Sequence, residues 1–312
     1  HPPPLPCALG GGVEEAEDCC DRTIVLYLLI TFSGPPPAIQ IPTLLLATSL
    51  AASTALCAAN ASDEQTYTHM ASTMLQFSNA GLVPQVIPAE LFSLSAALQV
   101  TYGNETSADL GSIVPAEHLA SAPTYQLNYT GEVQQQQVFW SQLFTVLAFD
   151  AGYPSSNESS GIWRQYLANN MTVMQADGVL QNMTDPVTAW TQPNITKDSG
   201  PHRFVQLVFA QGPDFAPIAN LTNSTGSNAA NMQLAEYVQQ ANLGKIVAAN
   251  YFIVQNGTKV DGDLPVSSTQ AVASASVTAM ASKISASIIA EGTRAVLLKD
   301  SAAASSMLSS NT

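Results

Sequence analysis

Beyond Cys57 the chain contains no cysteine, because all four (Cys7, Cys19, Cys20 and Cys57) fall in the first 57 of its 312 residues. Whatever folds after that point must be held by side-chain burial, without disulfides, zinc–thiolate sites or a cysteine nucleophile. The material for a core is present: 46% of residues are hydrophobic and only 10% charged. The charges are lopsided, 23 acidic against 9 basic for a net −14. That balance excludes the Lys/Arg stripe that phosphate-backbone binding needs, so no nucleic-acid partner is expected, and anionic membranes would repel the chain.

The cysteine-free region reads as strands. Leu94, Ala96, Leu98, Val100 and Tyr102 alternate with smaller or polar residues, and Tyr125, Leu127 and Tyr129 repeat the period. Further candidates are residues 142–150, 162–173, 202–211 and 246–255, separated by turn formers. Helical spacing occurs twice. Met70, Met74 and Phe77 follow a Ser62 cap and end at Gly81, while Leu234, Tyr237, Val238 and Ala241 share a face that Gly244 is expected to terminate. The fold class is mainly β, with antiparallel sheets and a few packed helices.

The ends differ from this middle. Residues 1–38 read as an extension to which no structure is assigned, with an apolar run at 23–32 that would suit a signal anchor. Residues 39–59 run from an apolar stretch into small residues, as in a signal peptide with cleavage near Ala55 to Ala59; a membrane span or core helix is the alternative. The folded domain is expected over 60–260. After Pro265 the chain becomes rich in Ser and Ala without aromatic residues, so 261–312 reads as a flexible low-complexity stalk, although Val277, Met280, Ile284 and Ile288 have helical spacing.

N-x-[ST] sequons stand at Asn60, Asn104, Asn128, Asn157, Asn170, Asn182, Asn194, Asn220, Asn223 and Asn256. Ten in one stretch of the chain far exceed what chance gives, and predict a secreted glycoprotein whose sugars sit on loops and strand edges.

Motifs for catalysis are scarce. There is no G-x-S-x-G, Walker loop, H-E-x-x-H or G-x-G-x-x-G, and His69, His118 and His202 are too scattered for a metal triad. No cofactor or metal is expected. The informative phrase is Ser199 to Gln211, where a Gly200-Pro201 turn delivers His202 and Arg203 to the mouth of an apolar strand. Imidazole N–H can donate to a phosphate or carboxylate, and Arg203 can do likewise or form a buried structural ion pair.

This phrase, Gly200-Pro201-His202-Arg203-Phe204, resembles the G-x-H-R-[YF] motif of the phosphatidylethanolamine-binding protein family. The resemblance extends over Met70 to Gln255. Phe149 to Ser156 stands in the place of the D-P-D-x-P loop, Trp163 in that of W-x-H, and Asn242 to Phe252 in that of the closing helix-to-strand segment. The AGLVPQVIP phrase and the sequon-rich, Ser/Ala-tailed layout look like the fungal extracellular branch. The family fold is implied, with a small pocket for phosphate-like or carboxylate groups.

Departures from the pattern fall on that pocket. Asp150 keeps the first loop aspartate, Gly152 replaces the second, Gln165 stands where W-x-H has histidine, and His202 is retained. Exchanging His for Gln keeps a donor and loses a positive charge. The implied ligand-binding set is therefore Asp150, Gln165, His202 and Arg203, supported by Gly152, Pro154, Trp163, Gly200, Pro201 and Phe204. Strand alternation puts Arg164 on the face opposite Gln165, as a surface charge. Pro154 is expected to stiffen the loop, and Trp163 to pack in the core. Glycans at Asn157 and Asn194 would stand near the pocket rim.

The reading is a secreted, non-catalytic binding protein with a partly degenerate pocket for an anionic small molecule or phospholipid head group. The family resemblance also implies an alternative, inhibition of a serine carboxypeptidase. A third is a structural glycoprotein of the cell surface or wall.

Overall fold

The computed structural model describes residues 63–103, 106–131, 133–152, 161–173, 177–198, 200–218, 221, 232–257 and 273–290. The elements in chain order are helix α1 (63–79), strands β1 (Ala96–Tyr102), β2 (Thr106–Ser107) and β3 (Thr124–Tyr129), and helix α2 (Val133–Trp140). There follow β4 (Phe144–Asp150), β5 (Trp163–Val173), β6 (Leu180–Asn182), β7 (His202–Gln211), helix α3 (Leu234–Gln240), β8 (Leu243–Val254) and helix α4 (274–290). Two sheets result, one in the order β2-β1-β3 and one in the order β6-β5-β4-β7-β8, with antiparallel pairing throughout.

The larger sheet is covered on both faces, which explains the near-continuous apolar runs of β4 and β7 where a half-exposed strand would alternate. On one face Val146, Ala148, Ala168, Phe204, Val208 and Phe252 meet Leu98, Val100, Tyr102, Tyr125 and Leu127 of the smaller sheet. On the other, Leu147, Phe149, Val205, Leu207 and Phe209 meet Met70 and Phe77 of α1, and Leu234, Tyr237 and Val238 of α3. Side chains of β7 therefore alternate between two cores rather than between core and water.

Local signals set most boundaries. α1 ends where Gly81 takes φ +64°, a left-handed conformation that costs glycine nothing sterically. After α3 the corresponding turn is made by Asn242 (φ +50°), one of the few other residues that tolerate it. Gly244, expected as the helix stop, already belongs to β8, where an added Cβ would stand 3.0 Å from the Ala210 carbonyl oxygen.

The expectation of a flexible stalk after Pro265 is corrected over 274–290. That segment is α4, and its Val277, Ala281, Ile284 and Ile288 are buried in the same core as α1 and α3. Alanine favours helix, and four apolar residues at helical spacing are enough to bury one stripe. Every described residue lies in one compact unit beginning at Asp63. The signal-peptide-like segment 39–59 and Ser62 lie outside the described residues, as do 258–272 and 291–312. Among the described residues, no helix is long and apolar enough to cross a membrane.

Candidate functional site

β4 and β7 pair antiparallel with Asp150 opposite Phe204, so the loop after Asp150 and the turn before His202 emerge side by side. Gly200 (φ +92°) makes that turn, followed by buried Pro201. His202 shares the inter-sheet face of β7 with Phe204, which stacks on Phe252 at 5.9 Å between ring centroids.

At the mouth His202 Nδ1 lies 2.8 Å from Asp150 Oδ2, with both side chains nearly one-fifth exposed. The other carboxylate oxygen of Asp150 accepts the Gly152 N–H at 2.7 Å. Gly152 sits at φ +68°. Gly152 thus shapes the loop through its backbone and clamps Asp150.

Arg203 has a different role from that expected. One residue along the strand from His202, it points into the helix-covered core and is fully buried. Its Nε donates to Gly152 O (3.1 Å), one terminal nitrogen to Ala80 O (2.7 Å) and Gly81 O (3.3 Å), and the other to Ala151 O (3.1 Å). The main chain adds Ala151 N to Arg203 O (2.9 Å) and Arg203 N to Gly152 O (3.0 Å). Arg203 fastens the end of α1 to the loop behind Asp150 through a cradle of main-chain carbonyls. Burial pushes the neighbouring Tyr251 hydroxyl up to about 12, with the Arg203 charge opposing.

The β5 expectations also change. Pairing with β4 shifts register between Ala148 and Phe149, so that Tyr166 faces Ala148 and Arg164 faces Phe149, leaving Gln165 as the extra residue of a bulge. Regular alternation fails there. Arg164, expected on the surface, is buried beside Tyr237, and burial lowers its pKa. Gln165 is also buried, with an Oε1 that meets no hydrogen-bond donor. Trp163, expected in the core, is 43% exposed.

A cavity of about 320 Å³ opens beside the pair, bordered by Asp150, Ala151, Gly152, Gly161, Ile162 and Trp163 from the sheet, and by Gln85, Val86, Met232, Gln233 and Leu234 opposite. Of the expected ligand-binding residues only Asp150 borders it directly. His202 adjoins through its bond to Asp150, Gln165 lies buried nearby in sequence, and Arg203 is behind the wall. Gln85 and Gln233 escaped the sequence reading because neither belongs to a motif. Among the described residues no lysine or arginine lines this space, and no group of three His, Cys, Asp or Glu side chains could hold a metal.

Among the sequons, Asn182, Asn194 and Asn256 are exposed, Asn128 and Asn170 are partly buried, and Asn60, Asn104, Asn157, Asn220 and Asn223 lie outside the described residues, as does Pro154. Asn256 Nδ2 donates to Ile195 O at 2.8 Å, which brings the Asn194 and Asn256 sequons together at the His202 end of the sheet.

Two antiparallel sheets thus carry the G-P-H-R-F turn and the aspartate loop side by side. The family model for phosphatidylethanolamine-binding proteins matches residues 96–252, half of the chain, and the chain belongs to that family. It is similar to the carboxypeptidase Y inhibitor of Saccharomyces cerevisiae, 23% identical over 57% of this chain and 93% of that protein. An uncharacterised protein of the same yeast is 25% identical over 54% of this chain and 85% of its own length. Among solved structures, the carboxypeptidase Y inhibitor complexed with its cognate proteinase matches with 21% identity and a TM-score of 0.47, over 59% of this chain and 95% of that one. The phosphatidylethanolamine-binding protein of Plasmodium vivax matches with 14% identity and a TM-score of 0.47, over 58% and 96%.

Proposed function

We propose that this is a secreted, non-catalytic binding protein that takes a phospholipid-type head group at the mouth formed by Asp150 and His202. The observation that carries this reading is the charge of the cavity wall: Asp150 is its one charged side chain among the described residues, beside an exposed Trp163. With a neutral imidazole the Asp150–His202 pair carries −1, and with imidazolium zero. A simple anion therefore finds no net positive charge. A zwitterionic head group fits better, with its ammonium toward Asp150 and the Trp163 face and its phosphate toward backbone N–H groups and the imidazole. The sequons support secretion.

The test follows the His202 ring resonances by NMR during titration, with His202→Ala identifying the signal. Phosphorylethanolamine is expected to shift them saturably, and inorganic phosphate to do so more weakly or not at all. Silence toward both compounds at millimolar concentration overturns the reading.

Similarity to a carboxypeptidase Y inhibitor across nearly all of that protein's length favours a second reading, inhibition of a serine carboxypeptidase through the surface. Peptide hydrolysis by such an enzyme would slow as this protein is added. Unchanged rates at excess protein remove this reading without affecting the first.

A further inference from the structure

The cavity beside the mouth has a second wall that the head group leaves unused. It is built from Gln85, Val86 and Pro88, which follow α1, and from Met232 to Ala235, at the start of α3. Backbone bonds fix it in place. Val86 N and Ile87 N both donate to Leu82 O, at 3.0 and 2.9 Å, and Met232 exchanges both backbone hydrogen bonds with Ile162 of the opposite wall, at 2.9 and 3.2 Å. The cavity is therefore preformed, and at about 320 Å³ it stands at the small end of ligand sites, which run from roughly 300 to 1,000 Å³.

This second wall carries no charge. Its polar groups are two carboxamides: Gln85 and Gln233 are both exposed, and among the described residues neither side chain engages its amide in a hydrogen bond within the fold. Gln233 stands at the N-cap of α3 and does not cap it. A carboxamide donates from its nitrogen and accepts at its oxygen, so the group that answers both functions is a hydroxyl, which also donates and accepts. The same wall offers Val86, Met232 and Leu234, and the opposite one offers Trp163, 43% exposed and bordering the space. A ligand suited to these surfaces is neutral, rich in hydroxyls and apolar on one face of a ring. An anion finds no lysine or arginine among the described lining residues, and a wholly apolar ligand would strip water from both carboxamides without replacing it.

We propose that this cavity is a binding site for a neutral sugar of monosaccharide size, with the apolar face of the pyranose ring on Trp163 and its hydroxyls on the Gln85 and Gln233 carboxamides. The indole supplies the broad apolar surface that a ring face needs, and the carboxamides fix its orientation. The site goes beyond the head-group reading and does not rest on it, because His202, which that reading requires, does not border the cavity. With one indole and two carboxamides as the main contacts, affinity in the millimolar range is expected.

Saturation-transfer difference NMR on the full chain tests this, with the methyl glycosides of glucose, mannose and N-acetylglucosamine as probes. At least one should receive saturation, strongest at the protons of one ring face, in a titration that levels off. Trp163→Ala and Gln233→Leu should each weaken its binding by at least about tenfold. Gln233 is exposed, so its substitution leaves the core untouched and the test does not hang on the tryptophan variant folding. No transfer to any of the three glycosides, or equal transfer in the parent and Gln233→Leu, overturns the proposal. Phosphorylethanolamine added to the same parent sample keeps the two readings apart. A His202 response without glycoside transfer sinks the sugar site alone, and glycoside transfer with a silent His202 sinks the head-group reading alone.

Discussion

His202 and Arg203 are consecutive in β7 and serve opposite sides of the same sheet: the imidazole meets Asp150 at the inter-sheet mouth, while the guanidinium is buried among the carbonyls of Ala80, Gly81, Ala151 and Gly152. One motif supplies a binding group and a structural one. Substitutions should separate them. Arg203→Met strands several buried carbonyls and should cost about 3 kcal/mol, read as a lower urea midpoint. His202→Ala leaves the helix-covered core intact and should cost about 1 kcal/mol or less, while abolishing the response to phosphorylethanolamine.

Acid should weaken the fold through His69. Burial holds its pKa below the ordinary 6.5, with Asp109 partly opposing. As pH falls through about 6.5 the unfolded chain takes up a proton that the folded chain refuses, so stability declines until folded His69 itself protonates. His69→Gln should remove this component. Urea midpoints at about pH 7.5 and about pH 5.5 should differ more for the parent than for the variant.

The α4 helix should contribute measurably to stability. Ile284 is buried and Ser287 exposed on the same helix. Ile284→Ala is expected to cost about 2 kcal/mol, with Ser287→Ala close to neutral as a control. Equal, negligible effects in chemical denaturation would mean that the helix adds nothing to the core.

Gly178 should tolerate no side chain. It sits at φ +77°, and a Cβ there would run into the Leu127 carbonyl, whose own N–H donates to Gly178 O at 2.9 Å. Gly178→Ala should cost at least about 2 kcal/mol, and hydrogen exchange at the Leu127 amide should report the local loss.

The parts of the fold legible in the sequence are those with local periodicity or turn chemistry. The β7 run, the Gly200-Pro201 turn and the stop at Gly81 stand where the pattern puts them. What escaped depends on distant partners. The Gln165 bulge is a matter of register against β4, invisible along β5 alone, and it misled the placement of Arg164. Trp163 has the chemistry of a core residue but stands at a strand start beside a cavity. Two further signals lie in the sequence itself. The period of two that faces His202 toward one core sends Arg203 to the other, and the spacing of Val277, Ala281, Ile284 and Ile288 describes a helix stripe even inside a Ser/Ala-rich stretch.

The Arg203 cradle joins residues 80–81, 151–152 and 203, segments far apart in sequence. The loop that aims Asp150 is therefore tied to the docking of α1 and to the pairing of β4 with β7, beyond its own Gly152 clamp. A partly opened molecule loses the mouth along with the helix. Ligand bound there would in turn protect α1 from opening, so that occupancy at one end of the sheet could be read in the resistance of the N-terminal helix to proteolysis.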